Sequence, residues 1–202
     1  MKIYLIRHGE TGGNREKRYI GKTDEPLTAE AEKELQNRTG LQAETVFVSP
    51  MKRCRQTAEI LFPHQPVRIL EELAECDFGT FENKNWKELS GDPAYQAWID
   101  SNGTLPFPQG EDPAKFRKRC CRGFEKGLAE CFREKTKSAA FVVHGGTIMS
   151  ILERYGVPRK DFYQWHVKNG QGYELEVEDS LWIPFSGKID QIKPLLYTVT
   201  AQ

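Results

Sequence analysis

Three times in this chain a short apolar run reaches a polar junction and passes directly into a helical pattern. Residues 2–7 (KIYLIR) are followed by His8 and Gly9, residues 44–49 (ETVFVS) run into Pro50, and residues 139–143 (AAFVV) end at His144-Gly145-Gly146-Thr147. Continuous apolar character without alternation is the mark of strands covered on both faces, as in a parallel sheet. The helical side of each unit is equally legible. After Pro50, Met51, Cys54, Ala58 and Leu61 fall at spacings of three and four, and Ile148–Tyr155 follows the third strand. The expected fold is therefore α/β, a three-layer α/β/α sandwich with a mostly parallel central sheet and helices on both faces.

The remaining segments fit that frame. Thr28 can cap a helix running through about Asn37, with Glu30 and Glu32 near its positive end and Gly40 just beyond its finish. A longer helix is expected from Pro113 to Glu134, where Phe116, Cys120, Phe124, Leu128 and Cys131 form a stripe. Gly123 and Gly127 form a G-x-x-x-G among charged residues, which predicts close packing against the sheet rather than membrane dimerisation. Residues 76–112 are rich in Gly, Pro, Asn and Asp and hold Trp86 and Trp98, as expected of a loop-and-helix insertion covering a site. Beyond Gly172 the alternating stretches YELEVED, LWIPF and LLYTVT read as edge strands or a hairpin. With no repeat or linker, residues 1–202 read as a single domain.

Composition narrows the partners. Lys+Arg and Asp+Glu both number 29, so the formal net charge is zero, which argues against nucleic-acid or membrane binding through a global positive field. The apolar run from Ile3 to Ile6 is too short for a signal peptide or a span, and no other stretch nears the roughly eighteen apolar residues a span requires. Five cysteines without a C-x-x-C pair fit a reducing compartment, so the cytoplasm is the expected location. The oligomeric state stays open between monomer and homodimer.

In an open α/β sheet, ligands bind beyond the carboxyl ends of the strands. The three junctions would bring together Arg7, His8, Glu10 and Thr11 from the first, Ser49 and Arg53 from the second, and His144 with its glycines from the third. Two arginines, two histidines and helix N-termini describe a trap for a compact dianion, of which phosphate is the obvious candidate.

These residues give the sequence a resemblance. Arg7-His8-Gly9-Glu10-Thr11 with Asn14, Ser49-x-x-x-Arg53-x-x-Gln56-Thr57-Ala58, Leu73-x-Glu75-x-x-Phe78-Gly79, Gly110-Glu111 and Val143-His144-Gly145-Gly146 stand in the order found in the histidine phosphatase superfamily, which includes the cofactor-dependent phosphoglycerate mutases. The stretch from Arg18 to Thr28 is most similar to the branch containing α-ribazole phosphatases. The resemblance implies a phosphoglycerate mutase-like fold and a phosphohistidine formed on His8. Arg7 and Arg53 would grip the non-bridging oxygens bidentately, and His144 would add a donor. Glu75 would protonate the leaving oxygen and later activate water, with a raised pKa. Asn14 and the N–H of Gly145 would complete the phosphate contacts, with Thr11, Gly21 and Glu82 as further candidates. No cofactor and no metal enter this scheme, and the four histidines lack H-x-x-x-H or H-E-x-x-H spacing.

Each assignment competes with a plainer one. Glu71, Glu72 and Glu82 lie near Glu75, and the motif context favours Glu75, with Glu82 left as an alternative proton donor. His64 reads as a surface loop residue, and His166 is divided between a structural role and a place on the substrate rim. Lys52, Arg55 and the charges of Lys115–Arg122 read as solvated helix faces. The sequence also departs from the family at Thr80-Phe81-Glu82-Asn83, at Asp112 and at Ala31, positions that bear on substrate rather than on the phosphate cradle. The favoured expectation is a phosphomonoesterase acting on a small phosphorylated metabolite such as α-ribazole 5′-phosphate. The alternatives are a cofactor-dependent phosphoglycerate mutase, against which the short chain argues, and a non-catalytic phospho-ligand binder, against which the full set of catalytic residues argues.

Overall fold

The computed structural model describes residues 1–178 and 187–199. In chain order the elements are β1 (Lys2–Arg7), α1 (Gly12–Arg15), α2 (Ala29–Gln36), β2 (Arg38–Thr39), β3 (Thr45–Val48), α3 (Lys52–Leu61) and β4 (Val67–Ile69). There follow α4 (Pro93–Asp100), α5 (Pro113–Glu134), β5 (Ser138–Val143), α6 (Gly145–Tyr155), β6 (Gly172–Glu176), β7 (Ile192–Pro194) and β8 (Thr198–Val199). Six strands form one sheet in the order β4-β3-β5-β1-β6-β7, and β2 pairs with β8 as a separate ribbon. The β4, β3, β5 and β1 strands are parallel, whereas β6 and β7 are antiparallel additions at one edge.

The three strands expected from the sequence occupy adjacent central positions. Their alternation divides the core. Ile3, Leu5, Phe47, Phe141 and Val143 face α5 and α6, packing with Phe124, Leu128, Ile148 and Ile151. Tyr4, Ile6, Val46, Val48, Ala140 and Val142 face the other way, onto Leu35 of α2 and Cys54, Ala58 and Leu61 of α3. The helices thus cover both faces of the sheet.

The α5 stripe is buried as expected, and its two glycines act at different contacts. A Cβ at Gly127 would lie 2.6 Å from the Phe141 ring, so that glycine sets the helix-to-sheet approach. A Cβ at Gly123 would meet Leu73 at 2.8 Å, so Gly123 lets the helix approach the 72–75 loop instead of the sheet.

Several boundaries differ from the sequence reading. Helix α6 begins at Gly145 rather than Ile148, with His144 as its N-cap residue. Met51 caps α3 from outside, while Thr28 caps α2 as expected, its hydroxyl accepting the Ala31 N–H at 3.2 Å. The edge strand β4 has only three residues and lacks a periodic signal. The tail provides β6, β7 and β8, and the expected LWIPF strand lies outside the described residues. Residues 76–112 contain α4, capped by Asp92, and carry an aromatic cluster of Phe78, Phe81, Tyr95, Trp98 and Phe107, which Tyr19 joins.

Candidate active site

Register gathers the site. Arg7 pairs with Val143, and Val48 pairs with Val142. Parallel strands in this register end at one level, so His8, Ser49 and His144 emerge side by side. The His8 and His144 rings meet edge to face with centroids 5.2 Å apart.

His8 is 3% exposed and its Nδ1 lies 2.7 Å from the Gly9 carbonyl oxygen. A carbonyl only accepts, so Nδ1 carries the proton and Nε2 keeps its lone pair. Burial first, then Arg53 and Arg7, holds its pKa well below the ordinary imidazole value. The backbone beneath it is fixed: Thr57 Oγ1 accepts the Gly9 N–H at 2.9 Å, and Asn169 donates to the carbonyls of His8 and Gly9.

His144 is fully buried. The Ser49 hydroxyl oxygen accepts the Met51 N–H at 3.3 Å and lies 2.7 Å from His144 Nε2. Cys54 Sγ lies 3.5 Å from the same nitrogen and 3.8 Å from Nδ1, and burial pushes its thiol up to about 12. Nδ1 faces Glu75 Oε2 at 3.8 Å, and a proton on Nδ1 turns that donor toward the carboxyl and leaves Nε2 to accept from Ser49. Burial first, then Arg53 and His8, holds His144 neutral.

The two arginines are anchored by their far ends. Arg7 Nη1 donates to the Val167 carbonyl at 2.7 Å and lies 3.4 Å from His166 Nε2. Arg53 Nη1 donates to the Thr23 carbonyl, and Nη2 to those of Ile20 and Gly21. In each residue Nε is buried without a protein acceptor. Two buried guanidinium donors of this kind fit an anion. Arg7 leaves its Nε edge open to an anion, whereas Arg53 spends three of its N–H donors on carbonyls of the 20–23 loop and keeps Nε free.

Glu75 comes from the loop after a 3-10 turn at Glu71–Leu73. Burial raises its pKa, opposed by the Cys76 N–H that Oε1 accepts at 3.0 Å and by Arg53, Arg7 and Arg119. A Cβ on Gly146 would stand 3.0 Å from Oε1, and one on Gly145 would stand 3.4 Å from Arg7 Nε. Both glycines thus admit charged groups to the start of α6, where the Gly145 N–H has no helical partner.

Asn14 joins the site through its amide. Its Oδ1 accepts from Asn169 Nδ2 at 2.8 Å and from the Thr11 N–H, which leaves its own NH2 group to donate elsewhere. Thr11 and Glu82 are engaged within the protein. The Thr11 hydroxyl caps α1. Glu82 Oε1 accepts the N–H groups of Gly21 and Thr23 and the Thr23 hydroxyl at 2.8–2.9 Å. Gly21 is pressed under the Cys76 carbonyl, where a Cβ would lie 1.9 Å away. His166 is an exposed neighbour of Arg7, and His64 lies on the surface. Among the described residues no group of three or more His, Cys, Asp or Glu is placed to hold a metal ion, and no helix is long and apolar enough to cross a membrane.

Sequence reasoning missed Asn169 and Arg119. The Asn169-Gly170 pair signals only a turn. Arg119, assigned to a solvated face, is 22% exposed in its side chain and paired with Glu111.

Residues 3–184 match the model of the histidine phosphatase superfamily, branch 1. The chain belongs to that superfamily. This histidine phosphatase is 31% identical over 182 residues to the adenosylcobalamin/alpha-ribazole phosphatase of Escherichia coli, covering 85% of this chain and 87% of the relative. Its fold matches the crystal structure of the alpha-ribazole phosphatase from Shigella flexneri with a TM-score of 0.76 at 27% identity, over 89% of this chain and 92% of that one. A phosphoglycerate mutase structure from Thermus thermophilus aligns over the full length of both chains, at 29% identity and a TM-score of 0.70.

Proposed function

We propose that this histidine phosphatase is a phosphomonoesterase that hydrolyses small phosphate esters through a phosphohistidine on His8. The observation that carries the reading is the 2.7 Å bond from His8 Nδ1 to the Gly9 carbonyl. It fixes the tautomer in which Nε2 is a nucleophile, in a pocket where Arg7 and Arg53 each keep a buried donor.

In the first step Nε2 attacks phosphorus, the bond from phosphorus to the ester oxygen breaks, and Glu75 gives its proton to the departing oxygen. Arg7, Arg53, Asn14, the His144 Nδ1–H and the Gly145 N–H stabilise the equatorial oxygens. In the second step Glu75 takes a proton from water, water oxygen bonds to phosphorus, and the P–N bond breaks to return neutral His8. Neutralisation by arginine leaves no step that calls for a metal.

The 76–112 segment, carried over the site with its own aromatic cluster, is the cover that selects the leaving group. α-Ribazole 5′-phosphate is the first substrate to test, on the strength of the Escherichia coli and Shigella flexneri relatives. The Thermus thermophilus likeness keeps a mutase as the second reading. A panel of phosphomonoesters including α-ribazole 5′-phosphate separates them through kcat/KM. Net hydrolysis with one ester preferred supports the proposal, and efficient conversion of 3-phosphoglycerate to 2-phosphoglycerate with a bisphosphate primer overturns it.

A further inference from the structure

The guanidinium of Arg119 has five N–H donors, and five acceptors surround it. Nε and Nη2 donate to the two carboxylate oxygens of Glu111 at 2.9 and 2.7 Å. Nη1 donates to the carbonyls of Glu72 and Ala74, both at 2.9 Å, and Nη2 reaches the Glu75 carbonyl at 3.3 Å. Three consecutive-region carbonyls of the loop that carries Glu75 are thus held by one side chain, itself mounted on the 22-residue helix α5.

Glu111 extends the clamp to the cover. Its backbone N–H donates to the Asp77 carbonyl at 2.8 Å, so one ion pair links α5, the 72–75 loop and the base of the 76–112 segment. Both partners are shielded, at 22% and 19% side-chain exposure, which makes the fork geometry worth more than that of a surface pair. On the other side of the loop, Gly146 sets how closely the carboxyl approaches α6, and the Cys76 N–H fixes Oε1. Oε2 is left facing His144.

We infer that Arg119 is a positioning residue: its pairing with Glu111 holds the 72–75 loop at the depth from which Glu75 reaches the leaving oxygen. This rests on the reading of Glu75 as proton donor. A lysine cannot replace the arginine, because an ammonium is a point donor without the planar fork that meets a carboxylate and three carbonyls together.

The test is a comparison of an alkyl phosphate, whose leaving oxygen needs a proton, with p-nitrophenyl phosphate, whose leaving group needs little help. Glu75→Gln is expected to lose about 10²–10⁴ in kcat/KM, which reports the leaving-group step, on the alkyl ester and much less on the nitrophenyl ester. Arg119→Lys should lose at least about tenfold more kcat/KM on the alkyl ester than on the nitrophenyl ester. In the Glu75→Gln background Arg119→Lys should have no further effect on that ratio, which a general structural role would not predict. Should Arg119→Lys fail to fold, Glu111→Gln, which leaves the backbone bonds of Arg119 in place, should show a smaller discrimination in the same direction. Equal loss on both esters, or an undiminished effect in the Glu75→Gln background, overturns the clamp while leaving Glu75 as the acid. Absence of discrimination in Glu75→Gln itself overturns both.

Discussion

Ser49 and His144 are joined at 2.7 Å by a hydrogen bond that couples the serine hydroxyl to the tautomer of the second histidine. With the proton on Nδ1, on the side of Glu75, the Ser49 hydroxyl donates to Nε2 while its oxygen accepts the Met51 N–H. Ser49→Ala removes this orienting donor from a buried site. A buried group left unsatisfied costs about 1–3 kcal/mol, so kcat should fall roughly five- to 150-fold, with a smaller change in KM. Steady-state kinetics on p-nitrophenyl phosphate checks this, and an unchanged kcat would mean that Ser49 does not set the tautomer.

Glu82 and Arg53 grip the 20–23 loop from opposite sides, the carboxylate taking N–H groups and the guanidinium giving to carbonyls. Glu82→Ala should therefore loosen Arg53 and weaken phosphate binding. It removes three hydrogen bonds to a carboxylate oxygen, for a loss of at least about 2 kcal/mol in unfolding free energy. Inorganic phosphate should inhibit the variant less strongly, while the ratio of rates on alkyl and nitrophenyl esters stays as in the parent. A selective loss on the alkyl ester would make Glu82 the proton donor instead.

The pH dependence of stability follows from the two histidines. Unfolded, both titrate near about 6.5, whereas burial and the arginines hold both well below that when folded. As pH falls through about 6.5 the unfolded chain binds protons that the folded chain refuses. The stability they confer is fully present above that pH and is lost going down towards the folded values. Glu75 acts in the opposite sense, since burial raises its pKa and lets the folded state hold a proton above about 4.3, where the unfolded chain releases it. Urea unfolding between about pH 5.5 and 7.5 should show stability rising by up to about 2.7 kcal/mol per pH unit at the acid end. His8→Asn should reduce that slope, and a flat profile would contradict neutral buried histidines.

Gly127→Ala tests the packing alone. Its Cβ would sit 2.6 Å from a Phe141 ring carbon, and overpacking of this kind costs about 1–3 kcal/mol. Thermal unfolding should show the loss while KM on p-nitrophenyl phosphate is kept. Unaltered stability would mean that α5 can move off the sheet freely.

What the sequence made legible follows physical signal strength. Residues 2–7, 44–49 and 139–143 announced themselves because central parallel strands are apolar on both faces, and they alone locate His8, Ser49 and His144. The α5 stripe was equally plain. β4 and β2 were not, since two or three residues at an edge carry no period and are held by neighbours distant in sequence. Arg119 was indistinguishable from the exposed Arg122 beside it, because its role comes from carbonyls of residues 72–75 that no local pattern reveals. Glu82 was legible as an acid near the site, while its bonds to Gly21 and Thr23 depend on a loop about sixty residues away.

The proposed mechanism turns on covalent phosphorylation of His8 Nε2. Rapid mixing with p-nitrophenyl phosphate, quenching in alkali to preserve phosphohistidine, and mass spectrometry of the peptides locates the phosphoryl group. One phosphoryl group per active site is expected on the peptide containing His8, formed in a burst with nitrophenolate release and absent in His8→Asn. A label on His144, or steady turnover in which no phosphohistidine forms, would contradict it.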